Sequence, residues 1–84
     1  MYFRFASTET EATVYAALSP WINPTVGISQ GSMGSFGTNA ITRILRGSST
    51  GLYLYGNDNS LVKTINSSSS NPIGSDLAIC TVKY

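Results

Sequence analysis

Leu52-Tyr53-Leu54-Tyr55-Gly56-Asn57-Asp58-Asn59-Ser60-Leu61-Val62-Lys63-Thr64-Ile65 is the stretch that decides the fold class. Leu52 to Tyr55 alternates aliphatic and aromatic side chains, and Leu61 to Ile65 is rich in β-branched residues, so each reads as a strand. Gly56 to Ser60 between them tolerates positive φ and reverses the chain. The unit is a hairpin. Strand side chains alternate between faces, so Tyr53 and Tyr55 share one face and Leu52 and Leu54 the other.

Working towards the C-terminus, Asn66 to Ser75 holds four consecutive serines and Asn71-Pro72, the composition of a mobile loop. Leu77 to Tyr84 reads as a closing strand with Leu77 and Ile79 on one face and Ala78, Cys80, Val82 and Tyr84 on the other. A strand apolar on both faces is either central or covered by a partner.

Working towards the N-terminus, Ala40 to Arg46 reads as a strand with weak facial bias. Gln30 to Asn39, with Gly31, Gly34 and Gly37 spaced by three, is expected to be irregular, and Thr25 to Ser29 to be a short strand. Ala12 to Leu18 places Val14, Tyr15 and Leu18 on one helical stripe. Thr8-Glu9-Thr10-Glu11 matches a capping box with Thr8 at the N-cap, and Pro20 stops the helix near Ser19. Thr8, Thr10, Thr13 and Val14 also permit a strand, but the cap and the alanines favour helix. Tyr2 to Phe5 reads as a short strand with Phe3 and Phe5 opposite Tyr2 and Arg4. The expectation is one small domain over residues 1–84, of α+β class: an N-terminal strand, a helix, then an antiparallel sheet of four to five strands.

The composition narrows the chemistry. The 84 residues hold no histidine, one cysteine, four carboxylates and five basic residues, for a net charge of +1. The usual general base is missing, an intramolecular disulfide is impossible, and no zinc site can be written. Nucleic acid would demand a basic patch, yet Arg43 and Arg46 form only a pair. The opening residues contain no apolar run long enough for a signal peptide or a membrane span, which implies synthesis in a cytoplasm. Domains this small bury only about 60% of their unfolded surface, so docking onto other proteins or self-association is the expected source of further stability.

Candidate sites are few. Gly31-Ser32-Met33-Gly34-Ser35-Phe36-Gly37 lacks the lysine and hydroxyl of a phosphate loop, but Met33 and Phe36 on a pliant backbone suit protein contact. Tyr53 and Tyr55, with Val82 and Tyr84, complete the interface candidates. Alternatively Tyr53 and Tyr55, with Asn57, Asp58 and Asn59 in the adjoining turn, make a sugar-stacking platform. Asp58 and Asp76 could be imagined as a glycosidase pair, but both sit in turn contexts where aspartate is common. No catalytic residue, cofactor or metal is assigned. Cys80, in an apolar strand without a basic neighbour, reads as an inert buried thiol.

Tyr2-Phe3-Arg4-Phe5-Ala6-Ser7, followed by a Glu/Ala-rich segment ending Ala17-Leu18-Ser19-Pro20-Trp21, resembles the start of small tailed-bacteriophage accessory proteins. The resemblance covers the first quarter of the chain; the remainder is similar to virion decoration and tail proteins in composition. It implies a non-enzymatic viral structural protein, a capsid decoration or tail accessory subunit, partnered by virion proteins and by itself. Gly51 to Asn57 and Pro72 to Ile79 are similar to the late strands of laminin-G and concanavalin-like lectin sandwiches, which implies the alternative, a small glycan-binding module.

Overall fold

The computed structural model describes residues 1–22, 28–47 and 51–81. Val82, Tyr84 and the Thr25 to Gly27 part of the expected short strand lie outside the described residues. In chain order the elements are β1 (Tyr2–Phe5), α1 (Glu11–Leu18), a short 3-10 turn (Ser19–Trp21), β2 (Ile28–Phe36), β3 (Asn39–Arg46), β4 (Gly51–Tyr55), β5 (Leu61–Asn66) and β6 (Leu77–Cys80). The strands form one antiparallel sheet in the order β1-β6-β2-β3-β4-β5. The class is α+β, dominated by sheet, with five strands after the helix.

The hairpin that the sequence announces is β4–β5, with Leu52 opposite Ile65 and Tyr53 opposite Thr64. Gly56 N–H donates to the Ser60 carbonyl at 2.9 Å, and Asn59 takes the positive φ, 65°, that closes the turn. β6 lies between β1 and β2, so its apolar character marks a central strand. Leu77 and Ile79 are buried, whereas Cys80 is exposed on the other face, opposite Tyr2. The buried-thiol reading of Cys80 is therefore overturned.

One core gathers Val14 and Leu18 from α1, Ile22, and Met33, Ile41, Ile44, Leu52, Leu54, Ile65, Leu77 and Ile79 from the strands, closed by Ile73. Fully burying one such aliphatic side chain contributes about 1.5–3 kcal/mol. Ile41 and Ile44 are three apart yet both buried, so the strict alternation of β3 slips between them. Thr42 Oγ1 donates to the Gly56 carbonyl at 2.9 Å at that point, where β3–β4 pairing ends. Arg46 donates to the Ser19 carbonyl at 3.1 Å, a cation at the C-terminal end of α1.

Three expectations fail here. Gln30 to Phe36 is the greater part of β2 rather than a loop, although its register with β3 shifts between Ser29 and Gly34, and Gly34 admits a neighbouring strand instead of loosening the chain. A Cβ on Gly34 would fall inside the contact radius of the Ala78 carbonyl oxygen, so only glycine lets β6 approach at this register. The serine-rich stretch from Asn66 is likewise tied down. The carbonyls of Asn71 and Ser69 accept from the Glu11 and Ala12 N–H groups at 2.9 and 3.0 Å, and Ile73 N–H donates to Glu9. The N-cap is Thr10 rather than Thr8, its hydroxyl accepting from Thr13 N–H at 3.3 Å. The first three N–H groups of α1 thus have partners, two of them supplied by this loop. Glu11, buried rather than capping, accepts from Asn66 N–H at 2.8 Å and from the Ser69 hydroxyl at 3.4 Å.

Candidate functional site

Antiparallel pairing puts directly opposed residues on the same face. Across β3, β4 and β5, Ile44, Leu54 and Lys63 form one such row, and Arg46, Leu52 and Ile65 the next; these point to the helix side. The intervening rows are Arg43, Tyr55 and Leu61, and Leu45, Tyr53 and Thr64. They form the outer face. Leu61 reaches it because Tyr55 pairs with Leu61 while Leu54 pairs with Lys63, leaving Val62 as a bulge residue.

The two tyrosines are half-buried and held differently. A Cβ added to Gly47 would lie 2.7 Å from Tyr53 Cε2, so the Tyr53 ring rests on the bare backbone of Gly47. Tyr55 carries the Arg43 guanidinium over its ring at 4.2 Å from the centroid. Arg43 also donates to Asn59 Oδ1 at 2.6 Å, which links the tyrosine row to the β4–β5 turn. Leu61 beside Tyr55 is 52% exposed. The face is an apolar and aromatic strip with one cation fixed on it.

Of the sugar-platform candidates, Tyr55 and Asn59 are joined through Arg43. Asn57 and Asp58 are not part of that cluster. They line a shallow depression with Thr38, Asn39, Ala40, Gly56, Ser60 and Val62, and neither tyrosine borders it. Asp58 Oδ1 accepts from both the hydroxyl and the N–H of Ser60, bonds that hold its carboxyl below the usual range. Asp76 lies apart, in a second depression with Arg4, Phe5, Ser35 and Gly37, where it accepts from Ser7 N–H at 2.9 Å. Two aspartates serving separate turns do not make a pair about one substrate.

The Met33 and Phe36 expectation is corrected. Met33 is buried in the core and Phe36 packs against it, opposite Leu77, so the pair does not project towards a partner. Strand pairing puts Phe36 on the core face opposite Leu77, and the register shift between Ser29 and Gly34 lets Met33, three positions away, join the core as well. Arg43, Leu45 and Leu61 are members of the outer face that the residue-type reading missed. The parity of Arg43 and Leu45 along β3 was available as a signal; the bulge that brings Leu61 across was not.

No family model, no curated protein and no solved structure matches this chain. Among the described residues no three histidine, cysteine, aspartate or glutamate side chains cluster as metal ligands, and no helix is long and apolar enough to cross a membrane.

Proposed function

We propose that this chain is a non-enzymatic structural subunit of a bacteriophage virion, a capsid decoration or tail accessory protein that packs its outer tyrosine face against a neighbouring protein subunit. One observation carries the packing role. The helix side of β3–β4–β5 sends Ile44, Leu52, Leu54 and Ile65 into the core, while the outer side presents Arg43, Leu45, Tyr53, Tyr55 and the exposed Leu61 as one contiguous strip. Tyrosine and arginine are the residue types that dominate binding energy at protein interfaces. Arg43 is already positioned by Tyr55 and Asn59, so little side-chain freedom remains to be lost on docking. The virion setting comes from the likeness of the first quarter of the chain to phage accessory proteins.

The glycan reading has less support. Sugar stacking needs an open ring face, and Arg43 occupies one face of Tyr55. The test changes Tyr53 and Tyr55 to alanine together and measures incorporation into particles, with circular dichroism as the fold control. The expected loss is about thirtyfold, the equivalent of about 2 kcal/mol for truncated interface aromatics. Unchanged incorporation with lost binding on a glycan array would reverse the assignment.

A further inference from the structure

The two edges of the sheet are finished differently. At β5, the Val62 bulge interrupts the ladder, α1 packs alongside, and the Glu11 carboxylate takes the Asn66 N–H. These devices stop further strand addition. At β1 the register with β6 is unbroken from Tyr2 to Phe5, and no described residue pairs with the outer side of the strand.

The hydrogen-bond phase of β1 follows from its first residue. Met1 and Thr81 exchange both backbone bonds, Met1 N to Thr81 O and Thr81 N to Met1 O. Antiparallel ladders alternate, so Phe3 and Phe5 also bond inward to β6, while the N–H and C=O of Tyr2 and Arg4 point away from it. The bond from Gly37 N–H to the Asp76 carbonyl, on the other side of β6, fits the same phase. The outward-pointing groups therefore sit on two residues separated by one.

We propose that β1 pairs antiparallel with β1 of a second copy of this chain, about a two-fold axis through Phe3, to give a continuous twelve-stranded sheet. In that register Tyr2 of each copy opposes Arg4 of the other, and each opposed pair exchanges two backbone hydrogen bonds. All of the outward groups of Tyr2 and Arg4 are then satisfied. On the outer face the exposed Tyr2 meets a guanidinium across the junction, a favourable aromatic–cation pair repeated by symmetry. A register placing Arg4 opposite Arg4 would set like charges together, and one centred on Tyr2 would forgo both Tyr2–Arg4 contacts. Tyr2-Phe3-Arg4 is thus self-complementary in one register only, which selects a second copy as occupant. The edge is remote in the sheet order from the tyrosine strip on β3–β5, so this inference stands or fails independently of the particle assignment.

The test uses the purified full chain in sedimentation equilibrium from about 10 µM to about 1 mM, the range in which a small transient interface reports. The apparent mass should rise towards double. Tyr2→Arg should hold the mass at monomer, because it opposes two arginines at each junction, and Tyr2→Arg with Arg4→Tyr should restore the rise. Neither change removes a bond between β1 and β6, and matching melting curves check that the fold is kept. Cys80 gives an independent ruler. It opposes Tyr2, so the two Cys80 residues would lie three strand spacings and two residues apart, about 16 Å. A flexible bis-maleimide of that reach should link the two copies, whereas a direct disulfide, which needs Cα atoms within about 7 Å, should not form. A mass fixed at monomer across the range, a dimer indifferent to Tyr2→Arg, or a swap variant that fails to restore association would each overturn the proposal.

Discussion

Gly31 to Gly37 and Asn66 to Ser75 have nearly the same vocabulary of glycine, serine and a few apolar residues, yet they do opposite jobs. The first supplies most of β2, is paired on both sides from Gly34 to Phe36, and delivers Met33 to the core. The second forms no long strand; it wraps the start of α1, where its carbonyls accept from the helix N–H groups, and it contributes Ile73 to the core. Their glycines differ in kind. Gly34 is required for space, because Ala78 stands where a side chain would be. Gly74 is required for conformation: its φ is +92°, and a Cβ there would touch nothing within 4 Å. Composition reports that a chain can bend or be approached closely, but not which of these the fold uses.

The largest expected effect is at Gly34. The atom in the way of Gly34→Ala is a backbone carbonyl of β6, a strand clamped between β1 and β2, so it cannot yield without opening the ladder. A cost of about 4 kcal/mol or more is expected, most of the stability of a domain of this size. Urea denaturation should show the variant largely unfolded. Retention of wild-type stability would mean that the two strands do not approach as described, and the contrast with Gly74 would collapse.

Local chemistry was legible and distant chemistry was not. The β4–β5 hairpin was readable because alternation and turn residues act within a few positions of one another. The end of α1 near Ser19 was readable from Pro20, whereas the two apolar faces of β6 left a central strand and a partner-covered one equally open until its place between β1 and β2 was known. The N-cap was misplaced by two residues because Thr8 and Thr10 are both acceptable caps, and the choice is made by the partners of Glu11. Those partners, Asn66 and Ser69, lie more than fifty positions away. β2 was hidden for the same reason, since its glycine makes sense only once Ala78 is beside it. At the outer face, the shared side of Tyr53 and Tyr55 was readable by parity. The tie from Arg43 to Tyr55 and Asn59 depends on the β3–β4 register, which no local pattern fixes.

The second effect tests what holds the serine-rich loop. Glu11→Ala removes the acceptor for Asn66 N–H and the Ser69 hydroxyl in a buried setting, and should cost about 2 kcal/mol. Glu11→Gln keeps an amide oxygen for Asn66 and should lose less than half of that. Amide hydrogen exchange at Asn66 gives a local reading: acceleration in Glu11→Ala with little change in Glu11→Gln is expected. Equal losses in the two variants would show that charge, not the acceptor position, secures the loop, and would make it a different kind of structure from the one contrasted with β2.

The smallest effect belongs to Gly74, and it separates the two glycine roles most cleanly. Its N–H donates to the Ser7 carbonyl at 3.0 Å, a bond that any residue but proline could make, and the space around it is open. The only penalty of Gly74→Ala is the strain of holding an L-residue at positive φ, about 1 kcal/mol. Gly74→Asn should cost less still, because asparagine tolerates positive φ better than other side chains. Denaturant midpoints for the three variants should rank Gly34→Ala far below Gly74→Ala, and Gly74→Ala slightly below Gly74→Asn. A steric origin at Gly74 would invert the last pair, since asparagine is the larger side chain. The order of alanine and asparagine at this one position therefore tells conformation from crowding.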